Sequence, residues 1–218
     1  MKQCISLISL TFLLLCASTV QAENNYLEVN LGYNALDDIH FSTETSTDLK
    51  YDGIADFDDG YFYGLTFGYE VNPYRFAAEI SYTENTINNF YTQLGLMKNE
   101  YNFEGNVNAK SAMFCFFRDY HLFSTASPYL GIGLGSTNLE IDGWDQRGYF
   151  FNDSTAVFTY LASAGLLIHL TEKIDINLSY RYMNTNDFTL QQIIEDIKYR
   201  YEMNYETNLF LAGIKFSY

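Results

Sequence analysis

The chain has 218 residues, of which 48% are hydrophobic and 18% aromatic, with 20 Tyr, 18 Phe, 14 Gly and only two Pro. That composition is rich in strand formers and poor in strand breakers. Twelve basic residues stand against 27 acidic ones, a formal net charge of −15, which excludes the basic surface that nucleic-acid binding requires. Beyond the N-terminus no run approaches the roughly eighteen apolar residues of a membrane-spanning helix.

Residues 1–22 carry a basic start at Lys2, an apolar run over 5–20 and small residues around Val20-Gln21-Ala22. This is the pattern of a secretory signal peptide with cleavage expected after Ala22, leaving 23–218 as one domain. A lipoprotein signal at Cys16 is the rival, disfavoured by Leu15 where a small residue is wanted. Cys4 and Cys16 leave with the signal, so the remaining Cys115 makes no internal disulfide and should be buried or inert. The exported part has a net charge of −16.

The exported part opens on a strand over 26–33, with Leu27, Val29, Leu31 and Tyr33 alternating against Glu28, Asn30 and Gly32. Residues 35–60 break the pattern and read as a long solvated loop. A second strand, 61–70, sets Tyr61, Tyr63, Leu65, Phe67 and Tyr69 on one face. After the turn at Asn72-Pro73, a third sets Phe76, Ala78, Ile80 and Tyr82 opposite Ala77, Glu79 and Ser81. A long connection over 84–106 leads to a fourth strand, 107–120, whose consecutive Phe114, Cys115, Phe116 and Phe117 imply either a bulge or an apolar patch inside. The fifth strand alternates Leu130, Ile132 and Leu134 with Gly131, Gly133 and Gly135, glycines that leave room for larger inward neighbours. Another long loop, 140–155, precedes a sixth strand over 158–169 that points His169 inward. The seventh strand alternates Ile174, Ile176, Leu178, Tyr180 and Tyr182 with Asp175, Asn177, Ser179 and Arg181. Residues 184–204 form the last long connection. Leu190, Ile193, Ile194 and Ile197 have helical spacing there, while Tyr199, Tyr201, Met203 and Tyr205 would equally extend the next strand. The eighth strand, 209–218, places Phe210, Ala212, Ile214, Phe216 and Tyr218 on one face and ends on an aromatic.

Eight strands joined alternately by long and short connections, each with one apolar and one small or polar face, predict an all-β, eight-stranded antiparallel up-and-down transmembrane β-barrel. An open sheet cannot sit in lipid, because each unpaired backbone group there costs several kcal/mol. A soluble barrel would turn its apolar faces inward, where these strands offer Gly, Ser, Asn, Thr and charge. The barrel interior is then predicted to hold a charge network of Glu28, Glu79, Asp175, Arg181 and Lys215, paired across a lumen just wide enough to be filled by side chains. Glu28 and Lys215, on the first and last strands, are expected to interact.

The four long connections carry 19 of the 27 acids and a net charge of −14. A solvated, aggregation-resistant surface accounts for this. The run Asp52-Gly53-Ile54-Ala55-Asp56-Phe57-Asp58-Asp59-Gly60 offers oxygen ligands for a divalent cation, but lacks the calcium-loop spacing and closing Glu, so no metal or cofactor is assigned.

With its repeating strands and terminal Phe216-Ser217-Tyr218, the chain resembles the small outer-membrane barrels of Gram-negative bacteria, the group of OmpX and the OmpA membrane domain, over about 26–218. The resemblance implies an outer-membrane location among lipid and lipopolysaccharide. It also implies recognition by the barrel-assembly machinery through Phe216 and Tyr218. The chain lacks OmpA's peptidoglycan-binding domain, so no cell-wall anchoring follows. His40-Phe41-Ser42 is superficially similar to the His-x-Ser of lipid A deacylases but lies in the first loop, not in a late strand, so no catalytic residue is assigned and the chain is read as non-enzymatic. What remains is a structural or surface-interaction protein contacting an extracellular protein or host ligand, with a narrow pore as the alternative.

Overall fold

The computed structural model describes residues 24–46, 50–94, 97–145, 150–194 and 197–218; the predicted signal peptide lies outside them. Within them are twelve strands and no helix: β1 (Asn25–Leu36), β2 (Ile39–Thr45), β3 (Lys50–Phe57), β4 (Gly60–Val71), β5 (Tyr74–Leu94), β6 (Met97–Asp119), β7 (Ala126–Asp145), β8 (Phe150–His169), β9 (Ile174–Thr185), β10 (Phe188–Ile194), β11 (Ile197–Met203) and β12 (Glu206–Ser217). Eight of them close antiparallel into a barrel in the order β1, β4, β5, β6, β7, β8, β9, β12, with β12 returning to β1. These are the eight strands predicted, and short turns join β4 to β5, β6 to β7 and β8 to β9 at one end.

Period-two alternation fixes which way every side chain points. Val29, Ile80, Phe114, Ile132 and Phe210 are exposed on the outer face, Phe114 to 78%. In water each would forgo about 1.5–3 kcal/mol of burial, so this face belongs in hydrocarbon. Glycines of one strand take rings from the next: a Cβ on Gly68 would lie 2.0 Å from Tyr26, one on Gly131 2.3 Å from Phe117, and one on Gly165 2.5 Å from Tyr129. The fourth predicted strand resolves in favour of an inward patch. Its ladder to β5 is unbroken from Gly105 to Arg118, and Met113, Cys115 and Phe117 point inward between outward Phe114 and Phe116.

The expected loops are instead a second tier of sheet. β5 to β8 run straight through, whereas the other four barrel strands break at Asp37-Asp38, Asp58-Asp59, Asn186-Asp187 and Asn204-Tyr205 and continue as β2, β3, β10 and β11. Above the breaks β3 joins β5, β2 joins β3, and β11 joins β2 and β10. Asp and Asn favour breaks over strand continuation, which explains the two-residue interruptions. Polarity inverts across this level. Ile39, Phe41, Ala55, Ile87, Leu139 and Phe188 pack inside the upper tier while His40, Ser42, Glu44 and Asp52 face out. Water outside demands that arrangement as firmly as lipid demands the reverse below. The helix considered over 190–197 is a hairpin, with Leu190 opposite Tyr201 and Ile194 opposite Ile197. β-branched Ile193, Ile194 and Ile197 and the alternating Tyr199, Tyr201 and Met203 favour strand over helix.

Candidate functional site

The interior is filled in layers. A single cross-strand row winds around the wall through His169, Asp175, Lys215, Glu28, Thr66 and Glu79, each opposite the next in the ladders. Glu28, Glu79, Asp175, Arg181 and Lys215 all point inward and are buried. The expected Glu28–Lys215 pair does not form. Lys215 Nζ lies 2.7 Å from Asp175 Oδ2 and 2.5 Å from Glu70 Oε1, and Glu28 Oε1 instead accepts a 2.7 Å hydrogen bond from Asn177 Nδ2. A lysine beside two carboxylates at that rung is better compensated than one beside a single acid.

At mid-height Arg181 Nη1 donates to both carboxylate oxygens of Glu79 at 2.7 Å, and Thr66 Oγ1 donates to Glu79 Oε2 at 2.8 Å. The pair spans the lumen between β9 and β5. Above it Ser111, Thr137 and Thr159 share hydrogen bonds of 2.7–2.8 Å. At the level of the breaks Asn34 Nδ2 donates to Asn85 Oδ1 at 2.5 Å, Thr207 Oγ1 donates to Asn34, and the Tyr205 hydroxyl lies 3.2 Å from Thr83 Oγ1. Above this column the upper tier has an apolar interior.

The mouth at the short-turn end holds the residues that the sequence reading missed. Arg75 is clamped by Asp119, with Nε 2.8 Å from Oδ2 and Nη2 2.9 Å from Oδ1, and its guanidinium lies 4.7 Å from the Phe117 ring centre and 4.6 Å from that of Tyr129. Bidentate pairing and aromatic faces suit arginine. Extending the alternation of Ala77 and Glu79 by one step would have placed Arg75 inside. Beside it, Ser127 Oγ lies 2.9 Å from His169 Nε2, and His169 Nδ1 lies 2.8 Å from Asp175 Oδ1. The three residues line a cleft of about 520 Å³ at that end, together with Glu70, Asp119 and His121. The connectivity is that of a nucleophile–base–acid chain, yet Ser127 is only 1% exposed, within the β7–β8 ladder opposite Leu167. Through these contacts His169 ties β7, β8 and β9 together.

His40 and Ser42, by contrast, face solvent on β2. Among the described residues no three His, Cys, Asp or Glu side chains gather to hold a metal ion. Alternation spreads the acidic run apart: Asp52 and Asp56 lie on the outer side of β3, with Gly53 and Ala55 turned inward, and Asp58 and Asp59 fall in the break. Phe216 and Tyr218 are exposed on the lipid-facing side, and the Tyr218 amide donates to the Asn25 carbonyl at 2.9 Å, tying the last residue to β1.

A family model for the outer membrane protein beta-barrel domain matches residues 7–217. No curated relative matches the sequence. Among solved structures, the outer membrane protein OprG from Pseudomonas aeruginosa is similar at a TM-score of 0.62 and 14% identity, over 90% of this chain and 98% of its own. Neisserial surface protein A gives 0.51 and 18%, over 89% and 97%. The outer membrane protease OmpT from Escherichia coli gives 0.55 and 8%, over 92% and 99%. At these identities the likeness is one of fold.

Proposed function

The chain belongs to the outer membrane protein β-barrel family, and from that premise we propose that it is a plugged outer-membrane barrel that works through its extracellular tier as a surface-interaction protein. The observation that carries this reading is the second tier itself. All eight barrel strands continue beyond the membrane surface as sheet, four of them after a break, with a packed apolar interior and an outer face bearing Glu44, Asp52, Glu140 and Asp142. A rigid, charged, laterally displayed surface is binding material for an extracellular protein or host ligand, whereas a barrel needed only as a membrane plug has no use for it. The lumen layers support the same reading, since Arg181–Glu79 and the Asn34–Asn85–Tyr205 belt both cross the path an ion would take. Phe216 and Tyr218 remain at the end of β12 as the proposed signal for the assembly machinery.

The test has two arms. The purified barrel in planar bilayers is expected to stay electrically silent; a sustained ion-selective current would replace this reading with that of a narrow pore. Cells displaying a variant whose β10–β11 hairpin is cut to a short turn should lose adherence to host-cell or matrix-coated surfaces while the barrel stays folded. Equal adherence of both strains would remove the surface-interaction role.

A further inference from the structure

The outer wall is not uniform around its circumference. On β4 to β7 one cross-strand row reads Phe67, Ala78, Phe114, Leu134, so that a methyl group stands between two phenyl rings. The result is an outward-facing groove of about 600 Å³, floored at Ala78 and walled by Phe67, Phe114, Phe116 and Leu134. Its height is set by the ladder. Ala78 is four residues above Tyr74, the first residue of β5, which is about 13 Å along a strand and nearer 10 Å once tilted. Half the hydrocarbon thickness is about 15 Å, so the groove opens into the periplasmic leaflet.

Directly below it, on the same face of β6 and one step beyond Phe116, stands Arg118, exposed and opposite Tyr74 in the ladder. Its guanidinium carbon lies 5.2 Å from the Tyr120 ring centre, and no ion pair engages it among the described residues. One face of the guanidinium is supported by an aromatic ring and its N–H fork is left for an anion, at the depth where lipid phosphates lie. A cation here is notable in a chain of net charge −15.

We propose that this face is a specific site for one phospholipid of the periplasmic leaflet, with an acyl chain in the Ala78 groove and its phosphate on Arg118. The apolar groove and the cation are complementary to the two ends of that molecule and stand at the matching separation. Lipopolysaccharide would have to enter from the opposite leaflet, where this wall presents the Lys110–Glu140 pair instead.

The site is tested by native mass spectrometry of the full barrel in detergent, titrated with palmitoyl-oleoyl phosphatidylglycerol. Wild type should retain one lipid adduct. Arg118→Ala should lower its occupancy about tenfold, as expected for loss of a charged hydrogen-bond partner. Ala78→Phe, which fills the groove from the lipid side, should also abolish retention. Phe210→Ala on the opposite wall should change nothing, and phosphate-free dioleoylglycerol should leave no adduct. Heat-modifiable gel migration confirms that each variant is folded, and Arg118→Glu serves as a second variant if Ala78→Phe fails to fold. Equal retention by wild type, Arg118→Ala or Arg118→Glu, and any folded Ala78→Phe would overturn the proposal, leaving only annular lipid. Preferential retention of lipopolysaccharide would overturn it as well.

Discussion

Replacing Arg181 with Met should be among the most damaging single substitutions in this barrel. Arg181 and Glu79 are both about 2% exposed as side chains and meet at 2.7 Å. Met fills much of the space but leaves the Glu79 carboxylate buried with Thr66 as its remaining donor. Breaking one side of a buried pair costs about 3–5 kcal/mol, against a total stability for folded proteins of about 5–15 kcal/mol. In a urea titration followed by heat-modifiable migration, that loss should lower the midpoint by roughly 1–3 M at an ordinary denaturant slope. The second half of the prediction separates charge from packing. Glu79→Gln combined with Arg181→Met removes the stranded charge, and the double variant should recover most of the lost midpoint. A double variant as weak as Arg181→Met would mean that volume, not the unpaired carboxylate, governs the loss. An Arg181→Met midpoint equal to wild type would mean that water reaches Glu79 and that the lumen is not closed at this layer.

Gly165→Val should destabilise the barrel by about 1–3 kcal/mol through overpacking, because even a Cβ there would stand 2.5 Å from the Tyr129 ring; calorimetry should show partial relief on adding Tyr129→Ala, and no relief would locate the strain elsewhere. In the extracellular tier, partial burial and then the neighbouring Asp56 hold the Asp38 carboxyl above its usual range. A raised carboxyl favours the folded tier below its unfolded pKa, and that advantage is lost as pH rises through the folded value. Hydrogen exchange of β2 and β3 amides should therefore be better protected in mild acid than at neutral pH, with Asp38→Asn flattening the dependence; an unchanged profile in the variant would refute the coupling. A fluorophosphonate probe should leave Ser127 unlabelled in the folded barrel, since His169 covers its hydroxyl; His169-dependent labelling would establish a nucleophile and reverse the structural reading of that cleft.

The lipid-spanning section was legible because period-two alternation carries both direction and burial in one pattern. Val29, Phe67, Ile176 and Phe210 announced the outer face, and Glu28, Glu79 and Arg181 fell inward by parity alone. The second tier was not legible in the same way. There the apolar residues, such as Ile39, Phe41 and Ala55, point inward, and a search tuned to greasy outer faces takes acidic outer faces for solvated loops. Pairing within the lumen was also beyond reach. The ladder places Lys215 opposite both Glu28 and Asp175, and only the three-dimensional course of a flexible ammonium, with Glu70 arriving from β4, decides between them. The Ser127–His169–Asp175 chain joins three strands and leaves no spacing signature along the sequence.

The reversal of polarity between the tiers also gives the molecule a waterline. Sinking it by one rung of the ladder, about 7 Å, would drag the outward Lys110–Glu140 pair toward oil, at up to about 1 kcal/mol for the lysine near the surface and more with depth. Raising it by the same step would bare a ring of phenylalanine, leucine and isoleucine to water, at up to about 3 kcal/mol for each side chain uncovered. Vertical displacement is opposed in both directions by independent forces, so the upper tier floats at a fixed draught above the membrane.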